Sequence, residues 1–122
     1  MVEVAARDHP TVSARLDEFL RLMADPTRRR IFLQLMAGET CNCELVGLLG
    51  LTQNLISHHL RQLREYGLIH ARRDPTDKRW VYYSVDREAL AAAYGDLLTL
   101  FDPGRVSPRA SVCGPSSTRC SP

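Results

Sequence analysis

The chain has 122 residues, the length of one small domain. Its hydrophobic fraction of 44% and charged fraction of 25% are ordinary for a globular protein, and no apolar run approaches the roughly 18 residues of a membrane span. The net charge of +2 is too small to indicate a nucleic-acid partner by itself. The first ten residues, MVEVAARDHP, show no secretory signal, so we expect a cytoplasmic protein. In that compartment the four cysteines are expected to be free thiols or ligands rather than disulfides.

Two amphipathic helices are predicted at the start of the chain. The apolar residues of the first recur at helical spacing from Val12, namely Leu16, Phe19, Leu20 and Met23. Asp25-Pro26 gives the second helix an N-cap followed by proline at its first position. The second helix is expected to end at Gly38 and to carry one apolar face, formed by Ile31, Phe32, Leu35 and Met36.

A short third helix and a longer fourth helix follow. Thr40 is predicted to cap the third helix, which ends near Gly50 and places inside the fold Leu45, Val46, Leu48 and Leu49. Thr52 is predicted to cap the fourth helix, and Gly67 suits the left-handed position that ends it. The expected buried face of the fourth helix consists of Leu55, Ile56, His59 or Leu60, and Leu63.

After Gly67 the sequence no longer has the apolar spacing of a helix, and that spacing returns after Asp86. Residues 69–73 and 80–85 are rich in β-forming residues and flank the turn-prone 74–77, which predicts a two-stranded hairpin. Asp86 is expected to cap a last helix, whose apolar residues in register are Leu90, Tyr94, Leu97, Leu98 and Phe101. Residues 1–101 are therefore expected to form the folded unit. The proline- and serine-rich residues 102–122 are expected to form a flexible tail that contains Cys113 and Cys120.

The order of these elements predicts a mainly helical winged helix-turn-helix with a small hairpin. In such a unit the second helix of the pair enters the major groove of DNA, with its N-terminal residues at the base edges. Glutamine and asparagine suit adenine, arginine along the helix suits phosphates, and basic residues on the hairpin suit backbone or minor groove. The side chains predicted to contact DNA are Thr52, Gln53, Asn54, Ser57, His58, Arg61, Arg64, Arg72, Lys78 and Arg79. Arg73 adds charge to the hairpin, while His59 is expected to be packed rather than to read a base.

Cys41-Asn42-Cys43 lies just before this DNA-reading unit. Residues two apart in a regular helix point about 200° away from each other, so two such thiols can bind one ion only where one of them is not yet helical. A helix start meets that condition and favours thiolate through the helix dipole. Because thiolates select soft ions, the pair predicts a soft-ion site that distorts the first helical turn. Two inert buried cysteines, or a strained redox pair, are the alternatives.

Three stretches of the chain resemble the ArsR/SmtB family of metal-responsive transcriptional repressors. They are Asp25-Pro26-Thr27-Arg28 leading into Ile31, then residues 51–60, LTQNLISHHL, and residues 63–69, LREYGLI. The resemblance covers about Phe19 to Leu100, although Leu55 replaces the small polar residue often found there. It implies a homodimer through the first and last helices. Two recognition helices about 34–36 Å apart would then suit an inverted-repeat operator.

The resemblance also implies a ligand. Residues 39–45, ETCNCEL, are similar to the family's arsenite and antimonite site, in which three thiolates hold the ion. Some members supply the third thiolate at the position of Val46, so here it is expected from Cys113 or Cys120 of either subunit. The metal ligands predicted are thus Cys41, Cys43, Cys113 and Cys120. The family's zinc site on the last helix needs histidines, and none follows Asp86. No organic cofactor is expected.

Three further interpretations remain open at this level. Cadmium, lead or mercury could replace arsenic or antimony as the inducer. A thiol redox or persulfide sensor could use the same cysteines. An enzyme is disfavoured, because Cys41 and the histidines 58 and 59 lie on separate helices of a DNA-reading unit and the chain has no phosphate-cradling glycine loop.

Overall fold

A computed structural model describes residues 13–116, and it confirms a mainly helical fold with a small antiparallel sheet. The helices are α1 Ala14–Ala24, α2 Pro26–Leu35, α3 Asn42–Leu49, α4 Gln53–Glu65 and α5 Arg87–Leu100. The strands are β1 Thr40–Cys41, β2 Ile69–Arg73 and β3 Val81–Val85. A short 3₁₀ turn at Pro103–Arg105 follows α5, and residues 106–116 have no regular structure. The predicted helix start at Val12 and the predicted ligand Cys120 lie outside the described residues.

The helix boundaries follow the local signals in the sequence. Asp25, Thr52 and Asp86 each cap a helix as predicted, with a side-chain oxygen that accepts a backbone N–H at 2.9–3.2 Å. Gly67, at φ +75°, occupies the left-handed conformation expected after α4. These positions need only short-range hydrogen bonds, so the sequence is sufficient to locate them.

The core lies where α2, α3 and α4 pack over the sheet. Its fully buried side chains include Ile31, Phe32, Leu35, Leu45, Ile56, Leu60, Leu63 and Ile69. Three residues predicted to be inside are exposed, namely Met36 (54%), Leu48 (59%) and Leu55 (39%). Met36 follows the last residue of α2, and Leu55 lies at the start of α4 beside the exposed Gln53 and Asn54. The third, Leu48, lies on an eight-residue helix that buries only Leu45.

The sheet contains a strand that the sequence does not predict. Strand β1 pairs with β3, and the register aligns Thr40 with Tyr83 and Cys41 with Tyr82. The prediction that Thr40 caps the third helix is therefore wrong, because its backbone is part of the sheet. The cap residue is Cys41, whose backbone N–H donates to Oε1 of Glu44 at 3.4 Å. A two-residue strand has no hydrophobic period that sequence analysis could detect.

Substitution of Asp25 should expose its contribution to stability. Its carboxylate accepts the N–H of Arg28, which lowers the pKa of Asp25 against the opposing effect of burial. Because the folded-state pKa is lowered, the stabilisation is present above the ordinary value of 3.8 and is lost as the pH falls through the lowered pKa. We expect Asp25→Ala to reduce the free energy of unfolding by about 1 kcal/mol at neutral pH, and by less near pH 3, in urea denaturation. The control Asp25→Asn should lower the free energy of unfolding by less. An equal loss for Asp25→Ala at neutral pH and near pH 3 would contradict this account.

None of the helices described between residues 13 and 116 is long and apolar enough to cross a membrane.

Candidate thiol site and nucleic-acid interface

The two cysteines of the Cys-Asn-Cys segment lie where a strand becomes a helix. Cys41 is the last residue of β1 and has extended backbone angles (φ −100°, ψ 167°), whereas Cys43 is the second residue of α3. Cys41 is therefore not part of the regular helix, which is the condition that the prediction of a shared ion requires. Both thiols are free; Cys41 is 7% exposed and Cys43 is exposed. Cys43 is therefore open to solvent, whereas almost all of the surface of Cys41 is covered.

A cleft of about 500 Å³ opens beside the thiols. Its first wall is the Cys-Asn-Cys segment, its second is α4, and its third is the start of β3 with the turn before it. The lining residues are Cys41, Asn42, Cys43, Gln53, Ser57, Arg79, Trp80, Val81 and Tyr83. The candidate ligand site and three residues predicted to contact DNA, Gln53, Ser57 and Arg79, therefore share one cavity.

A hydrogen bond joins the thiol segment directly to α4. Nδ2 of Asn42 donates to Oγ of Ser57 at 2.8 Å. The other end of the amide, Oδ1, is buried and has no hydrogen-bond partner among the described residues. The sequence does not predict this contact, because the two residues are 15 positions apart and meet only through the packing of α3 against α4. Movement of the first turn of α3 would break or strain the bond.

A second link joins the segment before β1 to the hairpin. The guanidinium of Arg72 donates two hydrogen bonds to Glu39, at 2.8 and 2.9 Å, and lies 4.6 Å from the ring centroid of Tyr82. The hydrogen bond with Arg72 lowers the pKa of Glu39. In the structure Arg72 pairs with Glu39, two positions before Cys41, and stays exposed, so its contact with DNA stays a prediction.

The turn of the hairpin is ordered by its own side chains. The carboxylate of Asp74 accepts the hydroxyl of Thr76 at 2.6 Å and the N–H of Asp77 at 2.9 Å, and these bonds lower the pKa of Asp74. Arg79 pairs with Asp77 at 2.7 Å, while Lys78 is exposed. Of the predicted basic contacts on the hairpin, Lys78 alone has no ion pair within residues 13–116.

The surface of α4 divides into a buried face and an exposed polar face. Seven residues predicted to contact DNA lie in α4 or at its N-cap. Six of them are exposed, and Ser57 is half-buried. These residues are Thr52, Gln53, Asn54, Ser57, His58, Arg61 and Arg64. Their spacing of three and four residues places most of them on one side of the helix, opposite the buried leucines.

His59 is packed into the domain, as predicted, and belongs to a polar cluster that holds α4. Its Nδ1 lies 3.4 Å from the guanidinium of Arg28, which also donates to the amide of Gln62 and to the carbonyl of Leu22. Burial lowers the pKa of His59, against the opposing charge of Asp25. Because an arginine side chain can only donate hydrogen bonds, Nδ1 of His59 is the acceptor in this contact. This cluster orients the helix that carries the predicted DNA contacts.

The described part of the tail contains Cys113. Cys113 is exposed, and its backbone N–H donates to Oγ of Ser111 at 3.1 Å. Cys113 is disulfide-bonded, so the expectation that all the cysteines are free is wrong for this residue. Between residues 13 and 116, no three or more histidine, cysteine or acidic side chains are grouped to hold a metal ion. A contribution of the tail to the thiol site stays a prediction.

The paired helices α3 and α4, followed by a hairpin, define a winged helix-turn-helix regulator. Residues 25–71 match the family described as "Bacterial regulatory protein, arsR family". The chain is also 34% identical to a solved structure titled "Possible transcriptional regulator for arsenical resistance", with a TM-score of 0.56, and the match covers 79% of this chain and 88% of that one. This chain belongs to the ArsR family, which consists of transcriptional regulators and not enzymes.

Two curated relatives carry names that concern metals. The arsenic resistance transcriptional regulator ArsR1 of Pseudomonas putida is 45% identical over 69 residues, which are 56% of this chain and 52% of that protein. A probable mercury resistance operon repressor of Streptomyces lividans is 38% identical over 72 residues, 59% of this chain and 55% of that protein. The chain thus spans about half the length of these relatives.

Proposed function

We propose that this protein is a homodimeric repressor that binds operator DNA and leaves it when trivalent arsenic or antimony binds Cys41 and Cys43. The observation that carries this proposal is the shared cleft, in which both thiols lie beside Gln53 and Ser57 of α4. A ligand at the thiols would act directly on the helix that carries the predicted base contacts. The names of the Pseudomonas relative and of the solved structure support arsenic as the inducer.

The dimer in this proposal forms through α1 and α5. These helices contact each other, and Asp96 on α5 accepts hydrogen bonds from Ser13 at 3.1 Å and Arg15 at 3.3 Å. Helix α5 and its C-cap residue nevertheless expose three large apolar or aromatic side chains, Tyr94, Leu98 and Phe101, each 57–63% accessible. An exposed apolar surface of this kind is typical of an interface. A dimer would present two copies of α4 to an inverted-repeat operator in double-stranded DNA.

Release follows from the chemistry of the thiols. Each arsenic–sulfur bond forms as a thiol loses its proton and an arsenic-bound hydroxide leaves as water. In this proposal one ion joins Cys41, which is buried and held by β1, to the exposed Cys43, and its binding shifts the first turn of α3. That shift moves Asn42, and with it the hydrogen bond to Ser57. A coupling of about 1–3 kcal/mol between ligand and DNA would be sufficient for regulation.

The third thiolate in this proposal comes from the tail. Trivalent arsenic in three thiolates needs one sulfur more than Cys41 and Cys43 supply, and Val46 occupies the position used in some family members. Cys113 or Cys120, from the same or the partner subunit, would supply it. Cys113 must first be reduced, because it is disulfide-bonded here; a reducing cytoplasm would provide that condition.

Thiolates also bind the soft ions cadmium, lead and mercury. Among these, mercury is the alternative inducer with specific support. The name of the Streptomyces relative favours it. Mercury needs no pyramidal third ligand, so a response to mercury but not to arsenite would select this alternative. A response to peroxide or polysulfide alone would instead indicate a redox or persulfide sensor that uses the exposed Cys43.

The proposal is tested by DNA binding of the reduced full-length protein. Fluorescence anisotropy on an inverted-repeat duplex from the region upstream of its own gene should show binding that weakens with salt, as phosphate contacts require. Arsenite should then release the duplex, and zinc should not. Absence of any salt-dependent duplex binding would overturn the proposal.

Asn42→Ala should weaken the connection between the thiols and α4. The amide of Asn42 is the side-chain link from the thiol segment to Ser57, so its loss removes a contact that orients α4. Without arsenite, we expect the affinity for operator DNA to fall about fivefold. The factor by which arsenite then lowers this affinity should be about fivefold smaller in Asn42→Ala than in the wild type. Both affinities can be measured by anisotropy, with arsenite binding followed separately.

The matched control is a double-mutant cycle with Ser57→Ala. If the hydrogen bond carries the coupling, the arsenite response of the double variant should equal that of Asn42→Ala alone. An arsenite response in Asn42→Ala identical to that of the wild type would show that coupling takes another route.

A further inference from the structure

One apolar side chain interrupts the polar surface of α4. Leu55 is 39% exposed, whereas every other leucine and isoleucine between Gln53 and Glu65 is at most 1% exposed. The two side chains that precede it in the helix, Gln53 and Asn54, are exposed and can form hydrogen bonds through their amides. A single exposed leucine is ordinary on a protein surface. At the start of a helix that is predicted to enter DNA, however, it lies where a base would cover it.

The first turn of α4 holds Leu55 in place. Its backbone N–H donates to Oγ1 of the cap residue Thr52 at 3.2 Å. Residues three apart are neighbours on the surface of a helix, so Leu55 lies between Thr52 and His58, which are both exposed and predicted to contact DNA. The N-terminal residues of a recognition helix are those that reach the base edges in the major groove. Leu55 is therefore expected at a base edge.

The major groove offers an apolar side chain one favourable partner. All four bases present hydrogen-bond donors or acceptors there, and thymine alone adds a C5-methyl group. A leucine packed against a donor or acceptor would remove that group from water without providing a hydrogen bond, which destabilises the complex. Against the methyl group, the same leucine buries apolar area of the protein and of the DNA together. The chemistry of the side chain thus favours thymine.

We propose that Leu55 contacts the C5-methyl group of one thymine in each operator half-site and thereby contributes to the choice of operator. The inference rests on the proposed binding of α4 to operator DNA and names a base feature that α4 recognises. The neighbouring side chains support an A·T pair at this place, because Gln53 and Asn54 suit the adenine edge that such a pair presents in the same groove. The leucine and an amide would then recognise the two bases of one pair or of adjacent pairs.

Uracil substitution in the operator tests this contact, because uracil differs from thymine only by the missing methyl group. The duplex is the inverted repeat from the region upstream of the protein's own gene. Each thymine in one half-site, on either strand, is replaced in turn by deoxyuridine, and the affinity of the reduced full-length protein is measured by anisotropy without arsenite. We expect at least one replacement to lower the affinity about fourfold, the effect of one buried group the size of a methylene.

Three variants assign that loss to Leu55. Leu55→Ala should fold, because the side chain is exposed and alanine favours a helix, and it should bind the thymine and uracil operators equally. Leu55→Met keeps an apolar side chain of similar length and should restore the preference for thymine. The matched control is Leu48→Ala, which removes an exposed leucine from α3 and should keep the full preference of the wild type.

Two outcomes would overturn the inference and leave the proposed function intact. The first is a wild-type protein that binds the operator and releases it with arsenite, but whose affinity no uracil replacement lowers. The second is a preference for thymine that persists unchanged in Leu55→Ala at every position, which would assign the methyl contact to another side chain. If the wild type binds no duplex in a salt-dependent manner, both proposals are wrong.

Discussion

The Cys41→Ser protein is expected to stay on operator DNA at arsenite concentrations that release the wild type. Serine lacks the soft thiolate that trivalent arsenic requires, so at least about a hundredfold more arsenite should be needed for half-release. The variant should fold, because residue 41 is the N-cap of α3 and serine is a favoured residue at that position. Anisotropy of a labelled operator duplex measures this directly.

Two further variants make the result specific. Cys43→Ser should behave as Cys41→Ser does, since both thiols are needed around one ion. Thr40→Ser alters the neighbouring buried residue without removing a thiol, and it should release DNA at the wild-type arsenite concentration. Normal release of Cys41→Ser protein would show that the inducer is sensed elsewhere in the chain.

The Leu60→Ala protein is expected to lose a large part of its stability. Leu60 lies on α4, is 1% exposed, and belongs to the central apolar cluster. Its truncation should lower the free energy of unfolding by about 2–5 kcal/mol, from lost burial and from the cavity that remains. Because α4 carries the predicted DNA contacts, operator affinity should fall with stability. Urea denaturation at one fixed protein concentration measures the change, since a dimer's stability depends on concentration.

Leu33→Ala is the matched control for this substitution. It removes the same atoms from α2 at a position that is 56% exposed. Its free energy of unfolding should stay within about 0.5 kcal/mol of the wild type. A comparable loss in both variants, or none in Leu60→Ala, would contradict the assignment of the core.

The elements predicted correctly are those with local chemical causes. Asp25-Pro26, Thr52 and Asp86 mark helix starts because a cap bonds a backbone N–H two or three residues away. The buried face of α4 repeats at helical spacing, and two runs of β-forming residues flank the turn-forming segment of the hairpin. The winged helix-turn-helix follows from the order of these elements, and the family comparisons agree with it.

The features that the sequence did not predict depend on contacts between distant residues. The two-residue β1 exists because β3 lies beside it, and this pairing moved the cap from Thr40 to Cys41. Arg72 bonds Glu39, which is 33 positions away, and no local pattern in the sequence predicts this pairing. The place of Trp80 beside the thiols likewise depends on how the hairpin folds over α3. Periodicity and composition contain no information about such contacts.

The two thiols and α4 lie in the part of the chain that matches the family. The family match spans residues 25–71, which include both thiols, α4 and the start of β2. It does not include α5 or the tail, so the dimer and the third thiolate rest on exposed apolar side chains and on valence. The division into a folded unit of residues 1–101 and a tail of residues 102–122 also remains a prediction.

The most direct test of the coupling between thiols and DNA records both events in one sample. The reduced wild-type protein, bound to a labelled operator duplex, is titrated with arsenite, antimonite, cadmium, lead or zinc. The absorption of the arsenic–thiolate or metal–thiolate bonds and the anisotropy of the duplex are read together. We predict that arsenite and antimonite change both signals with one common midpoint, and that zinc changes neither. Saturation of the thiolate absorption while the duplex stays bound would contradict the account.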